Sequence, residues 1–275
     1  MYRLSLGFVS DEISLDFPEA VRYGAEWGIS IFELRVLKTG RVPNVERSEL
    51  EDLKAAVRRY GARISALSPG IFKHPLSRST ELENELLNTL PRTLLLAHEL
   101  ETPLVIVFGF QREPGELSEN FWRAVDLMRR AAEQASREGV TLAVENEPGF
   151  WCDSGKNTSK FIKAVNSPAL GANWDPCNGY GTEETPFPDG YEAIRLSVVN
   201  VHAKDTREGS LIRCVPIGEG AIDWKGQLKS LMRDKVVDHV TIETHCLPLI
   251  EQSKRNVETL RGYLAEFERQ QEAPA

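Results

Sequence analysis

Glu145, Asp175, His202 and Glu243 each end a short apolar or alternating run: Leu142-Ala143-Val144-Glu145, Ala172-Asn173-Trp174-Asp175, Val199-Asn200-Val201-His202 and Val240-Thr241-Ile242-Glu243. Loop-forming or polar residues follow each of them. Three carboxylates and one imidazole, supplied by four separate strand-like segments, make the donor set of a divalent-cation site, with hard oxygen ligands and one nitrogen. As plain core they would be costly, because buried carboxylates need partners and three together repel one another.

Bulk composition narrows the class. A chain of 275 residues is long enough for one large α/β barrel or two ordinary domains, and long enough to need no disulfides. Its four cysteines, Cys152, Cys177, Cys214 and Cys246, show no CxxC spacing, which suits reduced thiols in a cytoplasmic protein. The N-terminus lacks the apolar core of a signal peptide, and no stretch is long enough for a membrane span. A net charge of -8 argues against nonspecific nucleic-acid binding, which draws on a positive surface.

The elements that must position the four residues alternate along the chain. Strand-like segments fall at 4–8, 31–35, 63–68, 103–108, 141–145, 170–175, 198–202 and 239–243. Helix-like segments fall near 17–27, 46–60, 80–98, 118–138, 158–166, 189–197, 223–233 and 249–269. Asp16 before Phe17-Pro18 and Asp223 before Trp224 are expected as caps. Gly61 and Gly139 suit left-handed helix ends, and Pro91 should kink or split the third helix. Eight such pairs predict an α/β fold, a (β/α)8 TIM barrel forming a single domain over 1–275, with fraying from about 270 to 275. An open doubly wound sheet is disfavoured, because Gly7-Phe8-Val9-Ser10-Asp11 has only one glycine of the expected fingerprint.

In such a barrel, alternation puts Glu145 with Glu147 on one face, Asp175 with Asn173, Asn200 with His202 and Lys204, and Thr241 with Glu243 and His245. Val144, Trp174, Val201 and Ile242 take the opposite face, under the helices. The polar set then points into the barrel at its carboxyl end, where barrel enzymes keep their chemistry. A dication there answers both the burial cost and the repulsion.

The series Val144-Glu145-Asn146-Glu147, Trp174-Asp175-Pro176-Cys177-Asn178, Val201-His202-Ala203-Lys204-Asp205, Ile217-Gly218-Glu219-Gly220-Ala221-Ile222-Asp223-Trp224 and Ile242-Glu243-Thr244-His245 resembles the xylose isomerase-like barrel superfamily. Within it, the series is similar to the sugar (phosphate) isomerase/epimerase branch, which includes inosose isomerases and ketose 3-epimerases. The resemblance implies one divalent cation on Glu145, Asp175, His202 and Glu243. Several relatives carry Asp-x-x-His after the sixth strand, whereas this chain has Asn178, which hydrogen-bonds a hydroxyl but does not shuttle a proton. Endonuclease IV, another relative, needs more histidines than the five here (His74, His98, His202, His239 and His245), and the acidic charge also speaks against a nuclease.

A cation so held would chelate neighbouring oxygens of a small carbohydrate and stabilise an enediolate. Glu145 and Glu243 are the expected catalytic pair, one removing a proton and the other returning it. Glu147, Asn178, Lys204, His245, Arg35 and Ser68 are the expected substrate-binding residues. The activity implied is an isomerase or epimerase of a sugar, ketose or inosose. A dehydratase is the alternative, and an idle sugar-binding barrel a further one. Mn²⁺ is preferred, with Mg²⁺, Co²⁺ or Zn²⁺ possible, and a homo-oligomer is possible. Glu219 in the Gly218-Glu219-Gly220 loop would repel a phosphate, favouring an unphosphorylated substrate. Glu12 is expected in solvent, and Phe108, Phe110, Phe150 and Trp151 are candidate apolar walls.

Overall fold

The computed structural model describes residues 2–272. Eight parallel strands close into a barrel: β1 (Ser5–Val9), β2 (Ile31–Leu34), β3 (Arg63–Leu67), β4 (Leu104–Phe108), β5 (Thr141–Glu145), β6 (Leu170–Trp174), β7 (Val198–Ala203) and β8 (His239–Ile242). Each strand pairs with its sequence neighbours, and β8 pairs with β1 to complete the ring. The expected TIM barrel is therefore the fold. Helices cover its outside: α1 (Phe17–Glu26), α2 (Arg47–Tyr60), α3 (79–99), α4 (Asn120–Arg137), α5 (Gly155–Val165), the short α6 (Tyr191–Ile194), α7 (Trp224–Asp234) and α8 (Leu249–Glu272). Among the described residues no helix is long and apolar enough to cross a membrane.

Local chemistry explains most helix ends. Gly61 closes α2 in the left-handed region and Gly139 takes the same conformation just past α4, as expected. Asp223 accepts from the Gly226 amide and caps α7. Asp16 stands at the cap position of α1, but its carboxylate makes no capping bond and instead meets Lys38 at 2.7 Å. The α-helical pattern is interrupted just before Pro91, which stands in the first turn of the segment Leu90–Glu99. The interruption is a π turn over Glu85–Thr89, closed by the Leu90 amide donating to the Glu85 carbonyl. The expected helix at 189–197 is irregular, because Pro186 and Pro188 remove amide donors at its start. α8 continues to Glu272; of the expected fraying from 270, the part over 273–275 lies outside the described residues.

The core divides by face. Val144, Trp174, Val201 and Ile242 belong to the large cluster packed under the helices, while Ala66, Leu104, Ile106 and Ala143 form a small separate cluster. Ala143 thus faces the barrel interior, and Glu145, two residues on, faces the same way. The apolar floor ends where the polar rim begins. Two small hairpins rise from that rim, one pairing Val36–Leu37 with Gly40–Arg41 and one pairing Asp205–Thr206 with Cys214–Val215.

Candidate metal centre

β5 ends on Glu145, β6 is followed directly by Asp175, β7 carries His202 and β8 is followed by Glu243. One ligand atom from each of these four residues lies within 4.8 Å of every other, and all four side chains are buried. The barrel thus brings together the four residues expected from the strand ends, and no cysteine is among them.

Each ligand is held by its surroundings. Asp175 splits its oxygens: Oδ1 accepts from the Asn178 amide at 3.0 Å and starts a one-turn helix, Pro176–Gly179. Its buried Oδ2 approaches Lys204 Nζ at 2.9 Å without hydrogen-bond alignment. Asn146 locks the Asp175 backbone with two 2.8 Å bonds, one to its amide and one to its carbonyl. The Asn178 side-chain amide donates to Glu145 Oε1 at 3.2 Å and to the Asn146 carbonyl at 3.0 Å. It thereby orients Glu145.

His202 is fixed from behind. Its Nε2 meets Glu33 Oε2 at 2.8 Å, and Glu33 is fully buried on β2, beside a register shift after Phe32 that re-aims the strand. Nδ1 then faces Glu145 and Glu243 at 3.5 and 3.6 Å. Asn173 contacts the same nitrogen at 3.1 Å. A carboxylate behind the imidazole is the usual means of orienting a histidine ligand.

Glu243 stands among cations. Lys204 Nζ lies 2.8 Å from Oε2, while Arg35 Nη1 and His245 Nε2 reach Oε1 at 2.5 and 3.1 Å. Arg35 also donates to Asp11 at 2.9 Å and Glu12 at 2.5 Å. Glu12 is not in solvent: it is buried, and its Oε2 accepts the His245 amide at 2.8 Å. This long-range bond, and Glu33 behind His202, were not foreseen from the sequence. The visible signal for Glu33 was its alternation with Arg35 in Ile31-Phe32-Glu33-Leu34-Arg35.

These contacts set the electrostatics. Burial and then the carboxylates of Glu145 and Glu243 push Asp175 up to about 6 against the pull of Lys204. Burial opposes charge on His202 and Lys204, yet the surrounding carboxylates hold both well above their ordinary values. Against burial, Lys204 and His245 hold Glu243 well below the usual carboxylate range. Glu243 raises His245 to about 12. Glu147 is raised, mainly by burial, although Lys73 lies 3.0 Å away.

A cavity of about 390 Å³ opens onto this cluster. Ser68, Glu145, Glu147, Asn178, Lys204, Glu243, His245 and Arg35 all line it, so the expected substrate-binding residues share one chamber. Phe108 is part of its wall, whereas Phe110 packs against Phe72 and Trp151 against Phe121. His74, His98 and His239 pair elsewhere, with Glu85, Glu138 and Asp238. The amides of Gly218 and Gly220 both point at Asp205. Those two glycine amides therefore serve a carboxylate of the protein itself.

The donor set fits a divalent cation: three buried carboxylates and one oriented imidazole converge, and the inward oxygen of Asp175 has no aligned hydrogen bond.

Comparison with known proteins agrees with the barrel fold. The family model described as xylose isomerase-like TIM barrel matches residues 21–266. A probable 3-DHS dehydratase from Bacillus anthracis superposes with a TM-score of 0.76 at 17% identity, covering 94% of this chain and 98% of that one. A D-allulose 3-epimerase from Methylomonas sp., solved with D-allulose, gives a TM-score of 0.72 at 17% identity, with 98% of both chains covered. A xylose isomerase-like barrel from Mycobacterium smegmatis, solved with magnesium, gives 0.73 at 15% identity and 97% coverage of both. At these identities the likeness is one of fold. A comparison with curated proteins gave no match.

Proposed function

The chain belongs to the xylose isomerase-like TIM barrel family, and from that premise we propose that it is a divalent-metal-dependent isomerase or epimerase of a small sugar, ketose or inosose. The observation that carries this reading is the convergence of Glu145, Asp175, His202 and Glu243 on one buried point beneath a cavity of small-molecule size. A cation held by these four residues supplies Lewis-acid stabilisation of negative charge on a substrate oxygen. The oxygen-rich donor set favours Mn²⁺, with Mg²⁺, Co²⁺ or Zn²⁺ as substitutes.

Glu145 and Glu243 divide the proton work unequally. Glu145 has an amide donor, Asn178, and one imidazole beside it, so it is the better placed to take the carbon-bound proton. Glu243 is held by Lys204, Arg35 and His245, whose charges suppress its basicity. It is the group through which a proton returns, with Lys204 and His245 as protonated neighbours. Ser68 and Asn178 offer hydrogen-bonding groups for hydroxyls from the cavity wall.

The test is Mn²⁺-loaded protein incubated in D₂O with a panel of ketoses and inososes. Deuterium at carbon is expected in at least one substrate, and Glu145→Gln should slow its entry by about a hundredfold or more. If no carbon-bound deuterium appears across the panel, the proposal fails.

One observation favours a dehydratase as the second reading. Glu147 lines the same cavity, and burial raises its pKa against the pull of Lys73, which favours it as the acid for a departing hydroxyl. Ultraviolet absorbance of a conjugated enone, appearing with loss of water, would select this reaction over isomerisation.

A further inference from the structure

Five cationic side chains line the cavity above the metal centre: Arg35, Arg41, Lys73, Lys204 and His245. Four are matched to carboxylates. Arg35 binds Asp11, Glu12 and Glu243, Lys73 binds Glu147, Lys204 lies between Asp175 and Glu243, and His245 meets Glu12 and Glu243. Arg41 differs. Among the described residues, its guanidinium makes one hydrogen bond, from Nη1 to the Ser68 carbonyl at 3.1 Å, and no ion pair. Asp11, the acid on the same wall, already accepts from Arg35 and from the Val36 amide.

The position of Arg41 is built. It ends the hairpin Val36–Leu37/Gly40–Arg41, and its guanidinium crosses to the turn after β3. There Gly70 leaves the space it needs: a Cβ on Gly70 would come within 2.9 Å of Nη1, and the backbone is in the left-handed region at φ +76°. Arg41 is exposed to solvent where it lines the cavity. Most of its donors are used by no protein group among the described residues, whereas the other four cations of the cavity are paired, so Arg41 is the one open to an incoming anion. Its planar fork matches a carboxylate in two parallel bonds.

We propose that Arg41 binds a carboxylate of the substrate, making the natural substrate a sugar acid whose hydroxyl or keto oxygens face the metal centre. This deepens the sugar isomerase reading and rests on it. Arg41 then determines specificity, and neutral sugars of the same length are poor substrates.

Calorimetry on the intact Mn²⁺-loaded chain tests it with three probes: D-glucitol, D-gluconate and D-glucitol 6-phosphate. The wild type should bind gluconate about tenfold or more tightly than glucitol, as expected for one charge-assisted fork. Arg41→Met should lose that preference and leave glucitol binding as it was, while Arg41→Lys, which keeps the charge without the fork, should fall between. Chelation of Mn²⁺ by gluconate itself is the same in all three proteins, so only the dependence on residue 41 counts. Melting temperatures confirm that the variants fold.

Equal binding of gluconate and glucitol by the wild type, binding of none of the three, or a gluconate preference that survives in Arg41→Met would each overturn the assignment. Tighter binding of glucitol 6-phosphate than gluconate, lost in Arg41→Met, would make the anion a phosphate and also overturn it. Deuterium exchange read separately keeps the two ideas apart. Exchange without an Arg41-dependent preference removes the sugar-acid assignment alone, and the preference without exchange removes the isomerase reading alone.

Discussion

Glu33 and His202 lie 169 positions apart in sequence and meet at 2.8 Å inside the barrel, both essentially without solvent contact. The contact fixes which nitrogen of His202 faces the other ligands. With Nε2–H donating to Glu33, Nδ1 is the nitrogen that faces Glu145, Glu243 and the Asn173 amide and would meet the cation, and the carboxylate raises its basicity. Glu33→Gln keeps the shape and removes the charge. It should weaken Mn²⁺ binding by about 10- to 100-fold, read by titration calorimetry, with far-ultraviolet circular dichroism unchanged. Unaltered affinity would mean that Glu33 only fills space.

Cation uptake should depend on pH, with a definite sign. His202 is held well above its ordinary pKa by Glu33 and Glu145 against burial, which favours its protonated form without metal. Asp175, raised to about 6 chiefly by burial, begins to carry one as pH falls to that value. Coordination must displace these protons, so affinity rises with pH. The expected slope is up to about tenfold per pH unit near neutrality, steepening below about 6 as the second group joins. Mn²⁺ titrations at several pH values measure it, and a flat profile would contradict the proton count.

Much of this site was legible because barrel strands alternate. A polar residue closing an apolar run, such as Glu145 after Val144, has only the interior or the rim to face, and four such endings in succession point to one place. Glu33 escaped notice because it stands within an apolar strand rather than at its end, and a register shift after Phe32 sets its aim. Glu12 escaped because its burial comes from a bond to the His245 amide, 233 positions away. Local pattern shows which face a residue takes. It does not show which side chain from another strand will be waiting there.

Lys204 sits between two of the metal ligands, 2.8 Å from Glu243 and 2.9 Å from Asp175. Its ammonium offsets the carboxylates that a cation would otherwise neutralise, so the two compete for the same charge. Lys204→Met should lower the stability of the metal-free protein by about 3 kcal/mol, since it leaves buried carboxylates uncompensated. It should also tighten Mn²⁺ binding, so that the rise in melting temperature on adding Mn²⁺ exceeds that of the wild type. Weaker Mn²⁺ binding in this variant would show that Lys204 supports the cation instead of opposing it.

Asp205 organises the loop that follows β7. Its two oxygens accept the amides of Thr206, Gly218, Gly220 and Ile222 at 2.9 to 3.1 Å. Gly220 has to be glycine, because a Cβ there would collide with that carboxylate. Asp205→Ala strands four amides and should destabilise the protein by about 3 kcal/mol or more, given about 1–3 kcal/mol for each buried group left unsatisfied and partial rescue by water. The same variant tests why this loop is not a phosphate site. In the wild type the four amides are already committed to Asp205, so inorganic phosphate should leave the melting temperature unchanged. With the carboxylate removed, the amides form a free anion cradle, and phosphate should raise the melting temperature of Asp205→Ala alone. A rise in the wild type would return phosphorylated sugars to contention, because the loop would then hold a second anion beside its own.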